Sequence, residues 1–168
     1  MIKKQTRPLL SLAILFISVL NTFAQKNNFS VTPSIGITTP VLDNGVGVLI
    51  GLNAAYRVSS FFSWEGQVSY LGTRVSSSFL TGKKGAEHAT NVLAGGRLYL
   101  VPARRETRVY YNLLLGLNHA REKVANEPSR SELGGGISTG LYVEKKRLVL
   151  GLSYETPQNA VIRVGYSL

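Results

Sequence analysis

Cysteine is absent from the chain, methionine and tryptophan occur once each, and there are two histidines, His88 and His119. Without cysteine there is no disulfide framework and no thiol chemistry, so stability has to come from packing and hydrogen bonding. Two isolated histidines do not supply the clustered ligands of a metal centre, so neither a metal nor another cofactor is expected. Long apolar runs are missing after the first twenty residues. The best candidates, Val46 to Tyr56 and Val109 to Leu117, are interrupted by Gly or Asn and fall short of a membrane-spanning helix. Dinucleotide and phosphate-loop spacings are lacking too. Gly45 to Gly51 and Leu133 to Val143 are glycine-rich but read as strands, and Gly82-Lys83-Lys84-Gly85 reads as an exposed loop tip.

What is present begins with a secretory pattern. Lys3, Lys4 and Arg7 precede an apolar core from Leu9 to Leu20, followed by the small-residue site Thr22-Phe23-Ala24. Residues 1–24 therefore read as a cleaved signal peptide, with the mature chain starting at Gln25. Residues 25–168 are the length of one compact domain. Without the three signal cations, 16 Lys and Arg stand against 9 acids, a net charge of +7. The cations are scattered, which fits a solvated basic surface on turns and loops or attraction to membrane phosphates. No nucleic-acid recognition module is visible.

The mature chain alternates with a period of two. In Phe29 to Thr38 every odd position except Pro33 is a bulky apolar side chain, and every even one is small or polar. Pro33 cannot donate to a ladder and marks a possible bulge. The alternation returns in Val46 to Val58, Phe62 to Thr73, Thr90 to Val101, Arg108 to Ala120, Glu132 to Val143, Leu148 to Glu155 and Ala160 to Leu168. Eight strands close a barrel. Short connections at Ser59 to Phe61, Pro102 to Thr107 and Glu144 to Arg147 alternate with longer ones at Thr39 to Gly45, Arg74 to Ala89 and Arg121 to Ser131. The last, Thr156 to Asn159, is a tight turn through Pro157. This is the rhythm of an all-β, eight-stranded, antiparallel, up-and-down transmembrane barrel with short periplasmic turns and periplasmic termini.

The two faces of each strand decide which side is wet. Apolar rows carry Phe29, Tyr56, Phe62, Trp64, Tyr111 and Tyr166 near one set of strand ends and Tyr70 and Tyr154 toward the other, resembling two interfacial girdles. The opposite rows carry Arg57, Glu65, Arg97, Asn112, Glu132, Glu155 and Arg163, which implies a structural polar network inside the lumen. Arg57 and Glu65 lie at similar distances from the Ser59 to Phe61 turn and are expected to be neighbours. Leu49, Leu93, Leu114 and Val149 share the inward parity, so parts of the lumen are expected to be dry. A periplasmic lipocalin-like barrel would invert this, with its apolar rows inside.

The closing residues Arg163-Val164-Gly165-Tyr166-Ser167-Leu168 look like the terminal strand of outer-membrane proteins, with Leu168 standing where that family usually ends in Phe. With the signal segment and eight strands, the mature chain resembles the outer-membrane β-barrel domain family of small OmpX-like and OmpA-barrel-like proteins. The resemblance implies a packed interior and a structural, adhesive or surface-interaction role more readily than a porin-like one. It also implies contact with outer-membrane lipids including lipopolysaccharide, assembly by the barrel-assembly machinery, and a monomer in the bacterial outer membrane of the cell envelope.

Some barrels of this size modify lipid A and need a His near a Ser at the outer rim. His119 is followed by Ala120 and Arg121 and lacks the His-x-Ser pattern. His88, beside Glu87, shares a predicted loop with Ser76, Ser77 and Ser78 but nothing in the spacing fixes a triad. No catalytic, cofactor or metal residues are therefore assigned. The expected function is a non-enzymatic barrel whose longer loops, with Arg74, Lys83, Lys84, Arg121, Lys123 and Arg130, contact headgroups or partners. The alternatives are a lipid A-modifying enzyme and an accessory subunit of an envelope secretion or assembly complex.

Overall fold

The computed structural model describes residues 28–40, 45–75, 85–102, 106–124, 128–156 and 159–168. The signal segment, Ser76 to Ser78, Lys83, Lys84 and Pro157, singled out above, lie outside these residues. The described residues form eight strands in chain order: β1 (Phe29–Pro40), β2 (Gly45–Arg57), β3 (Phe62–Val75), β4 (Gly85–Tyr99), β5 (Thr107–Val124), β6 (Arg130–Lys145), β7 (Leu148–Glu155) and β8 (Asn159–Tyr166). Each pairs antiparallel with the next, and β8 returns to β1, closing the barrel. Full closure leaves no long free edge around most of the wall.

The registers fix the barrel's dimensions. A walk at right angles to the strands, from His119 through Thr90, Tyr70, Ile50, Ile35, Val164, Leu150 and Val143, comes back to β5 at Val109, ten residues from its start. Eight strands with that stagger tilt by about 41° and enclose a radius of about 8 Å, wide enough only for side chains. Each residue then adds about 2.5 Å of height along the axis, and each rung crossed in the direction from β5 through β6 to β7 adds about 3 Å. We call the end holding the β2–β3, β4–β5 and β6–β7 turns and both ends of the described barrel the lower end.

Side chains alternate across most of the wall, with Val31 an exception that is buried on the outward row of β1. Leu114 is completely buried while its neighbour Leu115 is 58% exposed. Ile35, Ile37, Val48, Ile50, Leu113, Leu115, Leu117, Leu150, Leu152 and Ile162 all stand exposed on the outside. The fully buried positions instead include Arg163, Gln67, Glu155, Asn91 and Asn112. This is the reverse of a protein folded by water: apolar surface faces out and ionised groups face in.

Three details depart from the sequence reading. Pro33 forms no break, since the β1–β2 register runs through Pro33↔Leu52, and it sits one residue before the β1–β8 ladder begins at Ser34↔Gly165. The long upper connections are shorter than expected, because β3 and β4 stay paired to Val75↔Gly85 and β5 and β6 to Glu122↔Arg130. The β6–β7 turn is the two residues Lys146 and Arg147, both at positive φ (48° and 77°). A two-residue hairpin turn with both φ positive matches the twist of its strands but strains any residue carrying a Cβ.

Candidate functional site

The interior is built in layers. At the lower end Tyr99, Tyr110, Tyr142 and Val149 form a buried apolar cluster. The Tyr110 and Tyr142 rings stack with centroids 5.1 Å apart and 11° between planes. Tyr142 lies against Gly151, where a Cβ would come within 2.1 Å of its ring. Higher up, Leu49, Leu71, Ala89 and Val161 form a second dry cluster. Leu49, Leu93, Leu114 and Val149, expected on the inward rows, are all buried.

Between the clusters runs a polar belt. Arg97 donates through Nε to Glu65 Oε2 at 3.0 Å and through Nη2 to Oε1 at 2.9 Å, a two-pronged pair. Its guanidinium carbon also lies 4.1 Å from the centre of the Tyr110 ring. Asn53 Nδ2 donates to Glu65 at 2.6 Å and to Gln67 Oε1 at 3.0 Å. Arg163 Nη1 donates to Asn53 Oδ1 and Gln67 Oε1, both at 3.2 Å, and its Nη2 donates to Glu155. Ser69 and Ser138 donate to the Glu155 carboxylate at 3.0 and 3.3 Å. Two ion pairs are thus joined by two amides into one network touching six strands. In a low-dielectric interior such charges persist only when paired and hydrogen-bonded.

Four of the six charges assigned to the lumen by parity, Glu65, Arg97, Glu155 and Arg163, are brought together here. Arg57 is not. It is half-buried at the lower end, opposite Ser63, and its Nε makes no hydrogen bond, while Glu65 is taken by Arg97. Glu132 is a correction: it has inward parity but is exposed. The β6–β7 ladder ends at Ser138↔Glu155, so Glu132 stands above the part of the wall that encloses a lumen. The reading missed the Arg108 Nη1–Glu144 Oε1 pair at 3.0 Å, whose partners are directly opposite across β5 and β6. It also missed the three inward tyrosines, whose parity matches that of Arg97, Asn112 and Glu144.

On the outer wall Tyr56, Trp64, Tyr70, Tyr111, Tyr154 and Tyr166 are exposed, and Phe29 and Phe62 are half-buried. Phe62 packs edge-on to Trp64 at 5.0 Å. By the stagger of the strands, Phe29, Tyr56, Phe62, Trp64, Tyr111 and Tyr166 fall within about 8 Å of height, and Tyr70 and Tyr154 lie about 15 Å above them. His88 accompanies Tyr70, with Nδ1 2.8 Å from the phenol oxygen and the rings stacked at 5.9 Å. His119 is exposed on the outward face of β5, one rung from Thr90. Neither histidine is placed against a buried carboxylate or a serine hydroxyl in the described hydrogen bonds.

No family model matches the chain, and no curated protein is similar enough in sequence to register. Among solved structures, the chain is similar to Ail, the attachment invasion locus protein of Yersinia pestis, in complex with the heparin analogue sucrose octasulfate. That match has 18% identity and a TM-score of 0.51, covering 84% of this chain and 97% of Ail. It is also similar to Neisserial surface protein A, with 15% identity and a TM-score of 0.52, covering 83% of this chain and 96% of that one. The chain therefore has the fold of the small eight-stranded outer-membrane barrels.

Proposed function

We propose that this chain is an integral outer-membrane β-barrel, exported with residues 1–24 removed, that works without catalysis as a structural and surface-interaction protein. One observation carries the reading: the outside of a closed, charge-filled barrel is a continuous apolar band. On β2 the outward row from Val46 to Tyr56 holds only Val, Ile, Leu, Ala and Tyr. Its ten residue steps correspond to about 25 Å of height, the thickness of the apolar zone of such barrels. In water that band would drive aggregation, whereas hydrocarbon solvates it at no cost and the aromatic residues near its two edges suit the interfaces.

The termini and short turns are periplasmic in this reading, and the upper ends of β3 to β6 face outside. The chain is a monomer, inserted by the barrel-assembly machinery and surrounded by outer-membrane lipids including lipopolysaccharide. Its partners are reached through the upper ends of the hairpins, where Arg121, Lys123 and Arg130 are exposed. Ail, of the same fold, is known in complex with a sulfated sugar, and polyanions of that kind suit the cationic upper end of this chain. Purified protein is expected to need detergent and to migrate differently on gels before and after boiling. A protein monodisperse in plain buffer, with one mobility, would show that the apolar rows do not face lipid. Unchanged lipid A acylation on expression is expected, and a loss or gain of an acyl chain would reveal an enzyme instead.

A further inference from the structure

The outward row of β5 changes character abruptly. Tyr111, Leu113, Leu115 and Leu117 are followed at the same alternation by His119, Arg121 and Lys123, all exposed. On the neighbouring strand Val92 is followed upward by Thr90, His88 and Ala86, so that His88 stands directly opposite Arg121, Thr90 opposite His119 and Ala86 opposite Lys123. The described outward side chains at this level, Ala86, His88, Thr90, His119, Arg121 and Lys123, include two cations, two imidazoles and no acid.

Height places this face. The outward apolar row of β2 ends at Val46, level with His119; from there His88 is about 2 Å higher, Arg121 about 5 Å and Lys123 about 10 Å. A headgroup layer is about 5–7 Å thick on each side of the hydrocarbon. His88 and Arg121 thus stand within the headgroup layer, with His119 at its inner boundary and Lys123 just beyond it. Two contacts prepare the groups for an anion. Arg121 Nε donates to Ser129 Oγ at 2.9 Å, which fixes the plane of the guanidinium and leaves its Nη edge as the fork that matches phosphate oxygens. The 2.8 Å contact between the Tyr70 hydroxyl and His88 Nδ1 holds the imidazole in place as a second polar group on the same rung.

We propose that the outward faces of β4 and β5 at the upper boundary bind the phosphate groups of a lipid headgroup, with Arg121 and His88 on the central rung, His119 below and Lys123 above. The site rests on the membrane placement given under Proposed function, and it names a partner for the upper end. A glycolipid bearing two phosphomonoesters fits best, because the polar groups from His119 to Lys123 are spread over about 13 Å along β5 and not gathered at one point.

The test uses the full mature chain in phosphatidylcholine nanodiscs doped with lipid A or with dephosphorylated lipid A, counting glycolipid retained per barrel by mass spectrometry. Lipid A is expected to be enriched and the dephosphorylated form not. R121Q/K123Q is expected to lower the enrichment at least fivefold, the order expected for removing a cation from an anionic surface. K145Q/K146Q, an equal charge loss at the lower end, is expected to preserve it. Equal retention of both glycolipids, or equal effects of the two double variants, would overturn the site. So would loss of enrichment in millimolar inorganic phosphate, which would point to a free-anion site. A wild-type chain that does not enter nanodiscs as a heat-modifiable barrel would instead refute the membrane reading itself.

Discussion

Glu65 and Arg97 are diagonal partners: Arg97 stands opposite Ser63 and Glu65 opposite Gly95, and the guanidinium reaches across to hold the carboxylate through two nitrogens at 2.9 and 3.0 Å. Both side chains are almost fully buried. A direct pair would sit on one rung, but the diagonal one turns the arginine along the barrel axis. It lies over Tyr110 on one side and reaches the Asn53–Gln67–Arg163–Glu155 chain through Glu65 on the other.

Removing one member of that pair strands the other charge inside the barrel. E65Q and R97M are each expected to destabilise the barrel by about 3–5 kcal/mol, the usual cost of an uncompensated buried charge. R97K keeps the charge and loses the fork, and is expected to fall between. Urea unfolding from phosphatidylcholine vesicles, followed by the shift in gel mobility, measures all three. Wild-type stability in E65Q would mean that the belt fills space without holding the wall.

Facing lipid, side chains obey the opposite rule and obey it by depth. Leu113 lies near the middle of the apolar band, whereas His119 lies at its upper edge. L113R is expected to cost about 2–4 kcal/mol and H119R about 0–1 kcal/mol. The same vesicle unfolding experiment compares them, and equal costs at both depths would place the band elsewhere on the wall.

These depths also explain what could be read from the amino acids and what could not. Wherever one face of a strand meets hydrocarbon and the other a polar lumen, contrast between neighbours is maximal, and Val46 to Val58 or Leu148 to Glu155 are legible to within a residue or two. Above the band the outward side no longer meets hydrocarbon, and the contrast between the two faces is lost. Arg121, Glu122, Lys123 and Val124 then carry no period-two signal although the ladder continues through them, so the β3–β4 and β5–β6 hairpins look like loops from sequence. Parity placed Glu65, Arg97, Glu155 and Arg163 inside but not their pairing, because the pairing depends on stagger. Glu132 was misplaced for the same reason: parity says which way a side chain points, and only register says whether any lumen remains at that height. The inward tyrosines were hidden because aromatic residues on a membrane strand point to interfaces first.

The β6–β7 turn is a place where the natural residues are not the best ones. Lys146 and Arg147 both adopt positive φ, which costs roughly 1 kcal/mol or more for a residue with a Cβ. Replacing them by Asn-Gly, the preferred pair for this geometry, is expected to raise stability by about 1–2 kcal/mol without moving the strands. The Arg147 carbonyl accepts the Ser167 N–H at 2.7 Å, and a glycine at 147 retains that acceptor. Unchanged or lowered stability of K146N/R147G would imply that the two cations contribute interactions at the lower boundary that outweigh the strain.

Gly151 tests whether the lower cluster and the polar belt act as one unit. A methyl group there would lie 2.1 Å from Cδ1 of Tyr142, and no rotation of the methyl avoids the ring. The ring has to leave its place on Tyr110, and Tyr110 in turn supports Arg97. G151A is therefore expected to cost about 1–3 kcal/mol, as for other overpacked cores, and to reduce the near-ultraviolet circular dichroism of the tyrosines. Y142F is the control, since the Tyr142 hydroxyl is buried without a hydrogen-bond partner and its removal is expected to leave stability unchanged or raised. The decisive variant is G151A in a Y142L background, where no ring remains to collide. If the glycine is there to seat the ring, the alanine costs much less in that background, a non-additivity of the kind that contacting residues show. An undiminished cost would trace the effect to the β7 backbone and separate the cluster from the belt.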